Sequence, residues 1–453
     1  ANINQKVIRP KQDLKQKFSS FIDKTKVKNL NQLANFINGT NSDLYSINDY
    51  QKFCELLNTS KDDHAAFYTD QSIVDILVNS LPDFKEKKII RILEPSVGSG
   101  NFILALVRKY FDKKITIDVV DINKESIDVL KAIIKKTNLP KNVTINYINN
   151  DFLYEKIHKR YDLAIGNPPF KKIFSTDEHF DYYKSFSRNK KTNNLFSFFL
   201  ERIIDVSDFI CFIVPKSILG APEFNESRLE LKKFKFKSIH DFGEKAFKGI
   251  LIETIALSFY TSSNSSNNKM LVSSLTKKVD AKLNQSYVMD NKFPTWLLYR
   301  DESFDMVSKK LEFNKFTVFR DRQITKKLLK NSGKYKVIKS FNVGENKIIK
   351  HKDKDLYISE IDKLVVKKYL NNLEAILVPN LTYLPRGCFM PKNSIPDGSL
   401  AILIRKQKIK ITSDDLKYWS TNEFRHFYRI CRNFSTRSMN IDSNYIFYFG
   451  ILK

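Results

Sequence analysis

A turn of four residues, Asn167-Pro168-Pro169-Phe170, follows a strand-like segment over 161–166 and could hold reactive groups in place. Each proline fixes its own φ at about −65° and favours extended geometry in the preceding residue. The Asn167 side chain and the Pro168 carbonyl oxygen can then accept both N–H groups of one amine, with Phe170 stacked on the attached ring and Pro169 beside it. This chemistry suits methyl transfer to an exocyclic amine. A Pro-Pro turn without function is the alternative.

A second candidate site is a glycine turn at the end of an apolar strand over 88–93. The residues predicted to hold a cofactor there are Glu94, Pro95, Ser96, Gly98 and Gly100. The glycines let the backbone approach a ligand closely, and Glu94 falls at the carboxyl edge of a parallel sheet, where α/β folds bind cofactors. A dinucleotide fingerprint would have a third glycine at position 103. Ile103 stands there instead, which argues against a nicotinamide cofactor.

Two more strand-like segments, 115–120 and 143–148, each lead to an acid. Asp121, followed by Ile122, is positioned to accept the ribose hydroxyls of an adenosine. For Asp121 the alternative is a charge at a helix N-terminus. Asp151-Phe152 can hydrogen-bond an adenine amino group and cover one face of its ring. The cofactor indicated by these residues therefore contains adenosine.

The order of these motifs resembles that of S-adenosylmethionine-dependent methyltransferases with an NPPF tetrapeptide. Leu93 to Phe102 is similar to their cofactor motif, and the two acids and the tetrapeptide follow in the same order. Upstream, Ala66-Phe67-Tyr68-Thr69 resembles the methionine-side motif of the gamma class of DNA N6-adenine methyltransferases. The resemblance implies S-adenosyl-L-methionine as cofactor. It also implies that Phe67, Tyr68 and Thr69 contact the cofactor.

This chain departs from the family pattern at Asp70, where proline is usual, so we expect Thr69 or Asp70 to cap the next helix. Later segments, 193–196, 209–215 and 242–247, also resemble family motifs. In the family an aromatic residue in the last of these helps to hold a flipped adenine, which makes Phe247 a candidate. Phe247 could equally be a core residue. The resemblance ends near Tyr260.

The length of 453 residues predicts at least two domains, each with its own core. A polar segment over 262–269 predicts the boundary. Alternating strands and helices before it predict an α/β fold. The resemblance implies a Rossmann-like class I methyltransferase domain with a mostly parallel seven-stranded sheet, and a C-terminal α+β target-recognition domain. We expect a helical extension over 1–60, the catalytic domain over 61–260 and target recognition over 270–453.

The formal net charge of +27 indicates a polyanionic partner, although lysine-rich usage also follows from an AT-rich coding genome. From Thr261 onward there are 36 basic and 18 acidic residues, so +18 of the total charge lies in this part. Four arginines interleaved with aromatic residues there are candidates for DNA contacts: Arg425, Arg429, Arg432 and Arg437. The alternative for the neighbouring Trp419, Phe427, Tyr428 and Phe434 is a helix core.

Cysteine and histidine usage favours neither a metal site nor a disulfide framework. The four cysteines lie far apart without a C-x-x-C pair, and the six histidines do not cluster. The sequence has neither a secretory signal pattern nor an apolar run long enough to span a bilayer. We therefore expect a protein of the bacterial cytoplasm, associated with the nucleoid, with no membrane or metal partner.

These observations predict a DNA adenine N6-methyltransferase of a restriction-modification system, acting on double-stranded DNA beside a separate cognate endonuclease. Two alternatives stay open. The same tetrapeptide serves methylation of RNA base amines and of protein glutamine amides, because each presents an NH2 group conjugated to a π system. A non-catalytic DNA-binding protein on the same fold is the other alternative.

Overall fold

The computed structural model describes residues 10–59, 69–247, 251–437 and 439–453. Within these ranges the chain forms two compact units. The first unit comprises the described residues up to Lys216 together with Glu226–Gln285, and the second comprises Ser217–Asn225 and Ser286–Lys453. No helix in the described ranges is long and apolar enough to cross a membrane.

The first unit contains a large sheet with helices before and between its strands. Its elements are α1 (Pro10–Thr25), α2 (Leu30–Asn38), α3 (Ile47–Thr59), α4 (Gln71–Asn79), β1 (Ile89–Glu94), α5 (Ile103–Lys109), β2 (Lys114–Asp121), α6 (Lys124–Thr137), β3 (Val143–Asn149), β4 (Tyr161–Gly166), α7 (Phe180–Phe186), α8 (Leu195–Val206), β5 (Ser207–Pro215), α9 (Asn225–Leu231), β6 (Phe234–Gly243), β7 (Thr254–Asn264), β8 (Lys269–Ser274) and β9 (Val279–Asn284).

The sheet has the strand order β3-β2-β1-β4-β5-β7-β6-β8-β9. Strands β1 to β5 are parallel to one another, and β7 runs antiparallel between β5 and β6. The Rossmann-like, mostly parallel sheet expected from the sequence is therefore confirmed. Two strands beyond the seven expected, β8 and β9, extend it, since β8 pairs with β6 and β9 with β8.

The polar segment over 262–269 does not separate the two compact units. It contains the end of β7 and the turn into β8, and the Ser265 N–H donates to the Lys233 carbonyl oxygen at 3.1 Å. The first unit continues to Gln285 because β8 and β9 join its sheet. Polar composition here marks the connection from β7 to β8, two strands that flank β6 in the same sheet. The assignment of residues after this point to target recognition remains a proposal.

Parallel pairing brings the carboxyl ends of four strands to one edge of the sheet. Glu94 at the end of β1 is in register with Val119 of β2, and Asp121 at the end of β2 with Asn149 of β3. Strand β4, which precedes the tetrapeptide, pairs with β1 on the other side. Residues that follow these four strands therefore lie close together, as the Rossmann arrangement requires.

The N-terminal helices α1, α2 and α3 pack against α6. Phe21, Leu33 and Phe53 are buried there together with Val129 and Ile133 of α6. Helix α1 contributes Phe21 to this cluster, and its Phe18 and Ile22 pack around it. The helical extension is thus tied to the sheet through α6, the helix that follows Asp121.

The second unit combines short strands with helices. Its elements are α10 (Gln285–Val288), α11 (Glu302–Lys310), β10 (Leu311–Glu312), β11 (Phe316–Phe319), β12 (Tyr335–Ile338), β13 (Leu356–Ile358), β14 (Ile376–Pro379), β15 (Cys388–Phe389), β16 (Ser394–Pro396), β17 (Leu400–Arg405), α12 (Ser413–Trp419), α13 (Asn422–Cys431) and β18 (Ile451–Leu452). Trp419, Phe427 and Tyr428 are buried in its core. The core interpretation of these three aromatic residues is therefore correct.

Candidate active site

A cavity of about 360 Å³ opens at the carboxyl edge of the sheet in the first unit. Residues at the carboxyl ends of these four strands line it: Glu94 ends β1, Asp121 ends β2, Asp151 follows β3 and Asn167 follows β4. Pro95, Ser96, Gly98, Ile122, Phe152 and Pro169 line the same cavity. The structure thus brings together nine of the twelve residues that the sequence predicts for the cofactor, and of those predicted for catalysis or substrate it places Asn167 and Pro169 in the cavity.

The glycine turn between β1 and α5 depends on two left-handed residues, Gly98 with φ +54° and Gly100 with φ +78°. A Cβ on Gly98 would lie 3.0 Å from Glu55 Oε1, and one on Gly100 would lie 2.5 Å from Leu130 Cδ1. Gly98 N–H donates to Asp121 Oδ2 at 3.0 Å. Both glycines are therefore required by backbone geometry and by the groups packed against the turn.

Glu94 is 1% exposed, and within the described part of the chain its Oε1 has no hydrogen-bond partner. Burial raises the pKa of its carboxyl group well above the usual value. An orphaned buried oxygen is costly unless a ligand satisfies it. Glu94 Oε1 is therefore free to accept a hydrogen bond from a ligand in the cavity that Glu94 lines.

The two acids after β2 and β3 are held by backbone amides. Asp121 Oδ1 accepts from Asn123 N–H at 2.9 Å, and Asp151 Oδ1 accepts from Leu153 N–H at 2.9 Å. The Tyr183 hydroxyl donates to Asp151 Oδ2. These contacts fix the orientation of both carboxyl groups toward the cavity that they line.

The tetrapeptide follows β4 directly. Asn167 Nδ2 donates to Thr69 Oγ1 at 3.3 Å, and Pro168 is buried beside it. The ring of Phe170 is partly buried and packs at 6.1 Å from Phe196 and 6.0 Å from Phe247, measured between ring centroids. The hydrogen bond to Thr69, a residue of the motif that precedes the glycine turn, thus orients the Asn167 amide.

Of that preceding motif, Phe67 and Tyr68 lie outside the described residues. Thr69 is buried, and its carbonyl oxygen accepts from Asn101 Nδ2 at 3.4 Å. Asp70 caps α4 by accepting from Ser72 N–H at 3.0 Å, which confirms the expectation of a cap at Thr69 or Asp70.

Phe247 lies next to Phe170 but is a core residue. It is 1% exposed and belongs to the apolar core that includes Ile92 and Leu163. The neighbouring Ala246 carbonyl oxygen accepts from Asp70 N–H at 3.1 Å. Because neither face of a buried ring is accessible to a base, the burial of Phe247 argues against the stacking role considered for it.

Sequence reasoning missed the contribution of the N-terminal extension. Glu55 and Asn58 of α3 line the cavity, and Ser99 N–H donates to Glu55 Oε1 at 3.2 Å. Gln51, one turn earlier, donates from Nε2 to the Gly100 carbonyl oxygen at 3.4 Å. The signal was present, since polar residues at this spacing share one face of a helix.

A second missed group follows the tetrapeptide. His179 and Tyr183 line the cavity beside Asp151. His179 Nδ1 and the Tyr154 hydroxyl are 2.7 Å apart, and the rings of Tyr154 and Tyr182 stack at 4.1 Å. Within the described ranges, no group of three or more His, Cys, Asp or Glu could hold a metal ion.

In the second unit the four candidate arginines differ in exposure. Arg429 and Arg437 are exposed, and Arg425 is partly buried with Nη2 at 3.6 Å from Glu345 Oε1. Arg432 is 2% exposed, and its guanidinium lies 3.6 Å from the centroid of the Tyr445 ring. A buried, stacked guanidinium cannot reach a phosphate or a base edge, so Arg432 is corrected to a core residue.

Several known proteins are similar to this chain. It is 27% identical over 204 residues to the modification methylase CviBIII of Paramecium bursaria Chlorella virus NC1A, which covers 43% of this chain and 50% of that relative. It is 27% identical over 166 residues to the type II methyltransferase M.BsuBI of Bacillus subtilis, covering 35% of this chain and 32% of that relative. The chain thus spans half or less of the length of these relatives.

Among solved structures, the type IIL restriction-modification enzyme MmeI in complex with DNA has a similar fold. The TM-score is 0.51 at 11% sequence identity, covering 86% of this chain and 68% of that chain. A family model described as Eco57I restriction-modification methylase matches residues 17–247, which contain the whole cavity and amount to half of the 453 residues. The chain therefore belongs to the Eco57I restriction-modification methylase family.

Proposed function

We propose that this chain is a DNA adenine N6-methyltransferase that transfers the methyl group of S-adenosylmethionine to an adenine rotated out of duplex DNA. In this proposal it modifies DNA in a restriction-modification system. The observation that carries the proposal is the shared cavity, where Asn167 and Pro169 of the tetrapeptide lie with Glu94, Asp121 and Asp151. Family membership and the names of the relatives, which are modification enzymes, support DNA as the substrate.

The residues of the cavity fit S-adenosylmethionine. This cofactor carries ribose hydroxyls, an adenine amino group and an ammonium group, all of which are donors for the acids that line the cavity. The buried Glu94 Oε1 needs such a donor. Asp121 would accept a ribose hydroxyl, Asp151 would accept the adenine amino group, and Phe152 and Ile122 would cover the ring. When bound, the cofactor supplies an electrophilic methyl group.

The tetrapeptide would bind and activate the amine. Asn167 Oδ1 and the Pro168 carbonyl oxygen would accept the two N6 protons, which favours a pyramidal nitrogen with an available lone pair. The contact between Asn167 Nδ2 and Thr69 orients this amide beforehand. Phe170 would stack on the base. No strong general base is needed, because the nitrogen loses its proton readily once it has been methylated, and alignment supplies most of the rate.

Rotation of the target base out of the duplex would cost a few kcal/mol, on the order of one stacked and paired base. Phosphate contacts from the basic second unit would supply affinity without sequence choice. Exposed arginines such as Arg429 and Arg437 are candidates for these contacts.

The proposal is tested by expressing the chain in a host that lacks DNA methylation and mapping modified adenines by single-molecule sequencing. In vitro, transfer of tritium from labelled cofactor is measured on duplex DNA, RNA and protein. We expect label in duplex DNA and N6-methyladenine at a defined sequence. Label in RNA or in a protein glutamine instead would replace the proposal with the corresponding alternative, and DNA binding without any transfer would favour a non-catalytic role.

Asn167→Ala tests the mechanism. Removing one acceptor should lower turnover by about 100-fold or more, by analogy with loss of one oxyanion contact. The affinity for S-adenosylhomocysteine, measured by calorimetry, should change little. Asn264→Ala, at an exposed position outside the cavity, is the control and should retain full turnover. Near-normal turnover of Asn167→Ala with cofactor bound would contradict the assigned role.

A further inference from the structure

Helix α3 of the N-terminal extension presents a polar face to the glycine turn. Gln51, Glu55 and Asn58 occur at intervals of four and three residues, so they share this face. They contact the Gly100 carbonyl oxygen, the Ser99 amide and the Asn123 side chain at 3.4, 3.2 and 3.4 Å, respectively. The extension therefore forms one wall of the cavity.

Two neighbouring amides of the glycine turn hold two carboxyl groups. Gly98 N–H donates to Asp121 Oδ2 at 3.0 Å, and Ser99 N–H donates to Glu55 Oε1 at 3.2 Å. Because consecutive residues hold them, the carboxyl groups lie near each other, and both line the cavity. Burial, with a smaller contribution from the charge of Asp121, raises the pKa of Glu55 to about 7.

A pair of adjacent acids on a cavity wall suits a ligand with two neighbouring neutral donors. A vicinal diol offers two hydroxyl groups at that spacing, and hydroxyl protons between two carboxyl groups relieve their repulsion. A single cation could also neutralise the two carboxyl groups. In the proposed function, however, Glu55 and Asp121 line the pocket for the adenosine of the cofactor. The ribose is the part of the cofactor that carries such a diol.

We propose that Glu55 is a cofactor-binding residue that shares the ribose diol with Asp121, each carboxyl group binding one hydroxyl. This inference rests on the proposed cofactor. It assigns a binding role to the N-terminal extension, which is separated in sequence from all the motifs of the cavity.

The simplest competing role for Glu55 is a structural brace, in which it does no more than hold the Ser99 amide. Glu55→Gln distinguishes the two roles. Glutamine keeps a carbonyl oxygen to accept from Ser99 but replaces the second oxygen with a donor, so a brace survives while binding of a hydroxyl proton is lost. Glu201→Gln is the matched control, because Glu201 is a buried acid of the same unit that accepts from Arg188 N–H and Asn189 N–H outside the cavity.

The experiment measures dissociation constants by calorimetry for S-adenosylhomocysteine and for its 2′-deoxyribose and 3′-deoxyribose analogues. At pH 8, where a carboxyl group with a pKa of about 7 is mostly ionised, we expect Glu55→Gln to weaken binding of S-adenosylhomocysteine by about 10-fold, the value of one hydrogen bond to a charged group. For one of the two analogues the same substitution should change affinity less than about 2-fold, because the contacted hydroxyl is already missing. Asp121→Asn should show this insensitivity with the other analogue.

Equal weakening of all three ligands by Glu55→Gln would overturn the inference in favour of a brace, and so would no weakening of any. Glu55→Ala provides a second variant and should show the same dependence on the analogue, on top of a uniform loss from the missing brace. If the wild-type protein fails to bind S-adenosylhomocysteine, the proposed cofactor is wrong and this inference fails with it. If it binds and only the analogue dependence is absent, the proposed function stands without this role for Glu55.

Discussion

Gly98 is a cavity residue at which both the backbone and the neighbouring side chains oppose substitution. Its φ of +54° is left-handed, and a Cβ would lie 3.0 Å from Glu55 Oε1. Gly98→Ala should therefore cost about 1 kcal/mol in backbone strain and displace either the turn or α3. We expect at least about 10-fold weaker binding of S-adenosylhomocysteine by calorimetry. Gly39→Ala, at a φ of −84°, is the control and should bind normally; equal affinity of both variants would contradict this reading.

The buried acid Glu55 makes stability depend on pH. Burial raises its pKa from the usual 4.5 to about 7, so the folded state binds a proton that the unfolded state has lost between these values. Stability from this group is thus highest below pH 4.5, falls as pH rises to about 7, and then stays low. Glu55→Gln removes the effect, so its advantage over the wild type in free energy of unfolding, measured by urea denaturation, should grow across this window. At pH 8 the advantage should be on the order of 3 kcal/mol. A difference that is constant from pH 4.5 to 8 would contradict this assignment.

From the sequence alone, a residue could be assigned to the site when a motif places it at the end of a predicted strand. Gly98, Asp121 and Asn167 each follow a recognisable strand, and strand ends in a parallel sheet meet at one edge. Glu55 could not be placed in this way, because its approach to the turn depends on how α3 packs on α6. Arg432 shows that spacing can also mislead. An arginine that faces DNA and a buried arginine can have the same spacing among aromatic residues.

At the scale of elements, the packing of α3 should control cofactor binding. Phe53 of α3 is fully buried and stacks on Phe21 of α1 at 4.5 Å. Phe53→Ala should lower stability by about 3 to 5 kcal/mol through the cavity that it leaves. Because α3 carries Glu55, binding of S-adenosylhomocysteine by the folded protein should weaken as well. Phe111→Ala, at a ring that is 79% exposed, is the control for both measurements. Loss of stability with unchanged affinity would show that the packing of α3 does not control cofactor binding.

The sequence predicted four strands of the sheet close to their observed bounds. The segment predicted over 161–166 is strand β4 as observed, and the segments predicted over 88–93, 115–120 and 143–148 differ from β1, β2 and β3 by at most one residue at each end. Strand β8 escaped prediction because its buried residues alternate with exposed or partly buried ones, next to a polar segment. A Ser-Asn-rich run has the same composition in a connection between strands of one sheet as in a linker between domains, so only the pairing of β8 with β6 shows which of the two it is.

At the scale of the whole molecule, the positive charge is shared almost equally between the two observed units. The second unit contains 32 basic and 18 acidic residues, and the rest of the chain contains 45 and 32. The net charges are similar, but the second unit is the smaller and so carries more charge per residue. A polyanion would be attracted by both units, and the attraction should weaken as salt screens it.

Two arginines three residues apart separate a DNA-binding role from a folding role in this second unit. Arg429 is exposed on α13, whereas the guanidinium of Arg432 is buried over Tyr445 and donates to the Asn440 carbonyl oxygen at 3.2 Å. If Arg429 contacts a phosphate, Arg429→Ala should weaken binding of duplex DNA regardless of sequence and reduce the slope of log affinity against log salt by about 1. Arg432→Ala should instead lower the melting temperature, because the carbonyl oxygen of Asn440 and the ring of Tyr445 lose a buried partner. Its folded fraction should keep the wild-type salt slope. An unchanged slope for Arg429→Ala, or a reduced slope for Arg432→Ala at full stability, would contradict the division between a surface that binds phosphate and a core that supports it.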